Sequence, residues 1–258
     1  TLVASFLGYV RDAAMAARFG ASIVTDAYFA AFFVPNTLSL ILLSNSVAIV
    51  FLPIFVEAFQ RDKRHAWKIA SSLFNLTFLL FSAVVLLSSV TAKFWMPILY
   101  SGFPDPTMQL AITLTQILMP MLIFIGLSTI VTAVLNSFDH FSVPAFAPVL
   151  GNILVIGAIF LSYYWWEIEG VAVVVTLSTL VQLLIQLPVL RKFDSHFSLS
   201  LQLKDPMIIR IFRLAIPLII YFAIAYASQA VEKNIASSLV VGTVSAVSYA
   251  ANLFRVPI

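Results

Sequence analysis

Long unbroken runs of apolar residues alternate along the chain with short charged interruptions. The runs occupy about residues 1–19, 23–56, 69–92, 107–135, 145–164, 170–190, 207–240 and 245 onward. A stretch of roughly 20 apolar residues crosses the hydrocarbon core as a helix, whereas a barrel strand needs only about 10 and alternates polar with apolar. The pattern therefore predicts an all-α integral membrane protein, a polytopic bundle with about eight transmembrane helices. Arg11 and Asp12 interrupt the first run, so it does not read as a secretory leader. The second run is longer than one crossing requires and holds Pro35-Asn36 and Pro53, which predicts a kink or a break. Asp105-Pro106 and Asp205-Pro206 each place an N-cap acceptor before a proline suited to the first helical turn, where the fourth and seventh spans begin. From Phe197 to Lys204, Phe197, Leu199, Leu201 and Leu203 alternate with Ser198, Ser200, Gln202 and Lys204, which predicts a short extended segment on the membrane surface. Thr1 at the start and an apolar run at Ile258 suggest a piece of a longer protein.

Composition narrows the functions open to such a bundle. Only 10% of the 258 residues are charged and 62% are hydrophobic, too little polar material to cover a water-facing surface. Without cysteine, thiolate nucleophiles, disulfides and most zinc sites are excluded. His65, His140 and His196 lie in polar connecting segments without ligand spacing, so no metal is expected. The eight glycines compose neither a GxGxxG nor a Walker loop, so no nucleotide cofactor is expected. No catalytic acid pair or nucleophile and base stand at a recognisable spacing, which argues against an enzyme.

Nine of the 14 basic residues, Arg61, Lys63, Arg64, Lys68, Arg191, Lys192, Lys204, Arg210 and Arg213, cluster at one set of span ends. The positive-inside rule places those ends, and the N-terminus, in the cytoplasm. The pI of about 9.2 is then explained by juxtamembrane cations facing anionic lipid, with no nucleic acid partner required.

A weak internal repeat is in register with this topology. At an offset of 222 residues Ala14, Gly20, Phe32 and Val34-Pro35 align with Ala236, Gly242, Phe254 and Val256-Pro257, and Arg11 falls on Lys233. The first span then pairs with the seventh as in a parallel repeat of six-helix units. Arg11 and Lys233 each lie nine residues before their glycine, about 13 Å below the helix end. Charge at that depth costs on the order of 2.5–3.5 kcal/mol, and a functional site is the default inference. Asp12 and Glu232 adjoin these cations but, one residue apart on a helix, are not expected to face them. Arg11 is either a cavity-facing cation for an anionic substrate or the partner of an acid such as Asp26 or Glu232. Arg18 reads as a side chain reaching the interface or a member of the same charged set. Polar residues inside the second span, Asn36 among them, suggest either interhelical hydrogen bonds or a wet cavity.

Gly8-Tyr9-Val10-Arg11-Asp12, Arg18-Phe19-Gly20, Thr25-Asp26-Ala27-Tyr28, Pro35-Asn36, Asn136-Ser137-Phe138 and Phe141-Ser142-Val143-Pro144 together resemble the signature of the MurJ/MviN lipid II flippases, a branch of the multidrug/oligosaccharidyl-lipid/polysaccharide exporter superfamily. The resemblance implies a fourteen-helix exporter of which this chain is about the first half. Residues 1–192 would be the first six-helix lobe, 193–206 an interfacial connector, and 207–258 the opening of the second lobe. It implies alternating access that carries a pyrophosphate-linked peptidoglycan precursor across the inner membrane, with membrane lipids and cell-wall synthesis proteins as partners. Of the cationic cavity positions the family uses, Arg11 is retained, whereas Ser5, Ser39-Leu40 and Ala251-Asn252 stand where charged residues are usual. Arg11, Lys233, Asn36 and Asn252 are thus the expected substrate contacts, and Asp12, Asp26, Arg18 and Glu232 the expected gating or ion-pair residues. The alternatives are a cation-coupled drug or solute antiporter on the same fold and a non-transporting scaffold for envelope assembly.

Overall fold

The computed structural model describes residues 2–41, 46–162, 167–193 and 198–254, without side chains for 46–49 and 253–254. The chain folds into α1 (Leu2–Phe19), α2 (Ile23–Ser39), α3 (Ser46–Arg61), α4 (Lys63–Leu99), α5 (Asp105–Leu118), α6 (Met121–Ser137), α7 (Ser142–Leu161), α8 (Ile168–Leu190), α9 (Pro206–Ser237) and α10 (Thr243–Phe254), with a 3₁₀ turn at Arg191–Phe193. No strand occurs among the described residues. Five stretches are long and apolar enough to cross a membrane: Lys63–Leu99, Asp105–Ser137, Ser142–Leu161, Ile168–Phe193 and Pro206–Ser237. The other three apolar runs correspond to α1, to α2 with α3, and to α10.

The helix boundaries refine the expected spans. Neither proline of the second run interrupts a helix: α2 continues through Pro35 to Ser39 and α3 through Pro53, and residues 42–45 between them lie outside the described residues. The third begins six residues earlier than its apolar portion, because the charged run after Asp62 is itself helical. Asp62 starts it by accepting the Arg64 amide at 2.8 Å. The fourth is split at Pro120, which cannot donate an amide hydrogen, and short bonds from Leu122 to Met119 and from Ile123 to Pro120 tighten that turn. Asp205 caps α9 as expected, accepting the Met207 amide at 2.8 Å. Asp105 does not cap α5: the helix starts on it, after Pro104, and no side-chain cap is made.

Two apolar cores stabilise the bundle. Near the end that carries the basic cluster, Phe51, Phe55, Trp67, Leu122 and Leu135 join α3, α4 and α6. Near the opposite end, Tyr28, Tyr100, Leu114, Leu118 and Val171 join α2, α4, α5 and α8, and the buried Tyr100 hydroxyl donates to the Ala30 carbonyl at 3.2 Å.

The segment after the 3₁₀ turn is bound to α4 by its backbone. Asn75 Nδ2 donates to the carbonyls of Ser198 and Ser200 at 2.9 and 3.1 Å. The Ser198 and Gln202 amides donate to Ser71 and Ser72 hydroxyls at 3.1 and 3.0 Å. Leu199, Leu201 and Leu203 are exposed while Ser200 and Gln202 are half-buried, so the expected period of two holds over 199–203 and ends in a turn at Leu203–Lys204; Phe197 and His196 lie outside the described residues.

At the opposite end α9 docks on α4. Asn234 Nδ2 donates to the Ile98 and Leu99 carbonyls at 3.1 and 3.0 Å, satisfying groups that a helix terminus leaves open. Beside this contact, a Cβ on Gly102 would lie 2.3 Å from Ser238 Cα. Backbone against backbone cannot yield cheaply, so Gly102→Ala is expected to lower stability by about 1–3 kcal/mol, read as a drop in Tm in detergent micelles.

Candidate functional site

Arg11 sits mid-way along α1 with its side chain 30% exposed. Its Nε and Nη2 donate to Asp12 Oδ1 at 3.0 and 2.9 Å. The two side chains leave the helix in different directions, yet the long guanidinium curls back to reach its neighbour, correcting the expectation that adjacent residues on a helix do not meet. Neither Asp26 nor Glu232 is its ion-pair partner among the described residues. Nη1 points to Asn152 Oδ1 of α7 at 3.5 Å, and Asn152 Nδ2 donates to the Ala4 carbonyl at 3.1 Å. Asp12 Oδ2 accepts from Asn252 Nδ2 at 2.8 Å, and the Tyr9 hydroxyl donates to the Asn252 carbonyl at 3.2 Å. One carboxylate therefore orients Arg11 and ties α1 to α10.

Lys233 on α9 is buried, and its Nζ donates to Ser248 Oγ at 2.5 Å. Between α1–α2 and α9–α10 lies a cavity of about 240 Å³ lined by Arg11, Asp12, Asn36, Lys233, Ser248 and Asn252, with Tyr28, Phe29 and Phe32 on its aromatic side. All four expected substrate contacts therefore meet in one space. Two cations and one carboxylate leave the lining with one net positive charge. Arg255, the basic residue near the Ala251-Asn252 positions where charged residues are usual, lies outside the described residues.

Asp26 takes a different position from the one expected. It is 4% exposed and does not line the cavity. Its Oδ2 accepts the Gly242 amide at 2.6 Å and its Oδ1 the Ser245 amide at 2.7 Å, while the Ser245 hydroxyl bonds to the same oxygen. Its partner is thus the N-terminus of α10, where converging amides and the helix dipole favour an anion. Ser245 Oγ also lies within hydrogen-bonding distance of Thr25 Oγ1, at 3.0 Å. Thr25 forms a capping box with Ser22 at the start of α2, so the first turns of both helices interlock.

Gly20 and Gly242, aligned in the repeat, both adopt left-handed backbone, with φ of 64° and 92°. Gly242 also needs its missing side chain: a Cβ there would lie 2.8 Å from the Ala21 carbonyl oxygen. Arg18 is exposed and its guanidinium stands 5.2 Å from the centre of the Phe19 ring. Glu232 is exposed and also off the cavity lining, because on α9 its neighbour Lys233 takes the inward position. Sequence reasoning missed Asn152, Ser245 and Ser248. The repeat carried the signal for Ser248, which aligns with Asp26 at the 222-residue offset.

A bundle of spanning helices that encloses a charged cavity between two corresponding helix pairs defines a helical membrane transporter fold. Residues 15–258 match the family model described as lipid II flippase MurJ. The chain is 31% identical to the lipid II flippase MurJ of Burkholderia cenocepacia, with all of this chain and 52% of that protein aligned. It is 30% identical to the probable lipid II flippase MurJ of Buchnera aphidicola subsp. Acyrthosiphon pisum, over all of this chain and 52% of the relative. Among solved structures, a lipid II flippase MurJ in an inward closed conformation superimposes with a TM-score of 0.82 at 24% identity, covering 98% of this chain and 53% of that one. An inward-facing multidrug resistance MATE family transporter of the MOP superfamily superimposes with a TM-score of 0.74 at 18% identity, over 96% and 57% of the two chains. The chain belongs to the MurJ lipid II flippase family, and it spans about half the length of the curated relatives it matches.

Removing the carboxylate of Asp26 leaves the α10 amides without their acceptor. Asp26→Ala is expected to weaken that contact by about 1.5–3 kcal/mol, the range for hydrogen bonds to a charged group. Hydrogen exchange at the Gly242 and Ser245 amides should accelerate by roughly ten- to a hundredfold, while the Tyr100 region stays protected.

Proposed function

We propose that the whole protein is a transporter that carries a lipid-linked, pyrophosphate-bearing cell-wall precursor, lipid II, across the cytoplasmic membrane by alternating access, without a chemical step. The observation that carries this reading is the cavity in which Arg11 and Lys233 face one space. Arg11 is a planar fork suited to two phosphate oxygens, and Lys233 is a compact point charge beside it. Asn36 and Asn252 add neutral polar contacts. The net positive lining favours an anionic headgroup over the organic cations that an acidic cavity would select, so the antiporter reading is the weaker of the two.

In this reading residues 1–192 form the first lobe, 193–206 the connector and 207–258 the opening of the second lobe. The N-terminus and basic span ends face the cytoplasm. Asp26 acts as a latch on the outward side. Bonded to α10 it holds the two lobes together there, and on release it lets the cavity open outward. Asp12 keeps Arg11 oriented while Asn252 Nδ2 leaves Asp12 to donate to a headgroup oxygen. Membrane lipids surround the bundle, and cell-wall synthesis proteins are the expected protein partners.

In a reconstituted flipping assay on the full-length protein, Arg11→Ala is expected to lower the rate at least about tenfold, the loss of one interaction of about 1.4 kcal/mol or more, with Arg11→Lys between the two. An unchanged rate for Arg11→Ala would remove the headgroup role. Spin labels at Ala21 and Val240 test the latch. Asp26→Asn should increase the fraction of molecules with a long distance between them, and an unaltered distribution would assign Asp26 to stability alone.

A further inference from the structure

A second cavity, of about 570 Å³, lies at the basic end of the bundle, away from the cavity described above. Its cationic lining is Lys63, Arg64 and Lys68 of α4, and its apolar lining is Phe59 of α3, Trp67 of α4 and Phe193 of the 3₁₀ turn. The aromatic wall is part of the core: Phe193 stacks on Phe138 with centroids 4.5 Å apart and planes at 9°, and Trp67 is 4% exposed. The three cations project from this wall with their side chains exposed.

The placement of the charge runs against the local helix. Lys63 and Arg64 occupy the first turn of α4, where the dipole disfavours cations and favours an anion. No acidic side chain lines this cavity among the described residues. Among the described residues the acids nearby are engaged: Glu57 by Arg61 and Arg210 at 3.0 and 3.1 Å, Asp62 by the Arg64 amide, and Asp205 by His65 and the Met207 amide. Beside the cavity, Leu199, Leu201 and Leu203 of the connector face outward, Leu199 at 99% exposure, on a backbone anchored to α4. The cavity thus sits where headgroups meet hydrocarbon, with a cationic rim and an aromatic floor.

We propose that this cavity binds the phosphate headgroup of an anionic phospholipid from the adjoining leaflet, with Lys63, Arg64 and Lys68 on the phosphate and the aromatic wall against the glycerol and first methylenes. The occupant is a resident lipid at a site separate from the central cavity. The proposal rests on the helices spanning a membrane and not on transport, so it stands or falls independently of the flipping assay.

Native mass spectrometry of the purified full-length protein with phosphatidylglycerol or phosphatidylcholine provides the test. The unaltered protein should retain phosphatidylglycerol in preference. The triple variant Lys63→Gln, Arg64→Gln, Lys68→Gln should lose affinity for it by on the order of a hundredfold, as expected for three juxtamembrane cations. The pair Arg191→Gln, Lys192→Gln, basic and exposed but outside the cavity lining, should leave it nearly unchanged. Equal retention of both lipids would overturn the proposal, as would an equal loss in the two variants, which would indicate diffuse surface charge. Inorganic phosphate binding as tightly as the lipid would replace a lipid site with a free-anion site, and binding of an acidic protein in preference to the lipid would equally refute it. Tm is followed throughout. If the triple variant unfolds, Lys68→Gln alone takes its place: a several-fold loss of phosphatidylglycerol affinity with Tm intact supports the site, and unchanged retention overturns it.

Discussion

The Asp26 carboxylate at the N-terminus of α10 is the contact on which the arrangement of the candidate site depends. Both its oxygens are used, by two backbone amides and a hydroxyl of α10, in a place nearly closed to solvent. In such surroundings an unpaired carboxylate is costly, and so is a helix terminus with free amides. Each satisfies the other. Because the carboxylate belongs to α2 and the amides to α10, meeting both requirements brings the two helices together at one end. The left-handed turn at Gly242, packed on Ala21, allows the approach. With α10 held there, Ser248 and Asn252 come within reach of Lys233 and Asp12, and the cavity between the helix pairs is enclosed.

Charge inside this cavity is partly offset within the protein. Arg11 is held by Asp12 and pointed toward Asn152, while Lys233 donates to a serine hydroxyl. An arginine bonded to a neighbouring carboxylate is oriented without being neutralised by a distant helix, so in the proposed reading its remaining edge would be open to a headgroup phosphate. In the proposed reading, the basic span ends, the pocket at the α3–α4 corner and the cavity share one electrostatic logic: cations stand where anionic groups of lipid would be present.

The sequence was legible wherever the physical signal was local. Apolar run length indicated the helices, and Asp205 before Pro206 marked the start of α9 because capping involves residues two positions apart. The break at Pro120 was hidden, since a proline inside an apolar run also occurs within continuous helices here, as at Pro35 and Pro148. Depth along the helix singled out Arg11 and Lys233, and both reached the cavity. Rotation about the helix axis was harder to read: Glu232 and Lys233 have equal depth, but only one faces inward. Asn152 was invisible because its role arises from the packing of α7 on α1.

By itself, then, the sequence determined an all-helical membrane bundle, the depth of each charge and, through its motifs and relatives, the family. Those properties follow from hydrophobic run length, rise per residue and local turn chemistry, none of which requires knowing which helices touch. Tertiary structure alone decided that Asp26 caps a helix instead of pairing with a cation and that Arg11 bonds to its own neighbour. It also decided that Asn36, Lys233 and Asn252 line one space. Hydrogen bonds between residues more than two hundred positions apart depend on the angle at which helices pack, and that angle is set by the whole bundle.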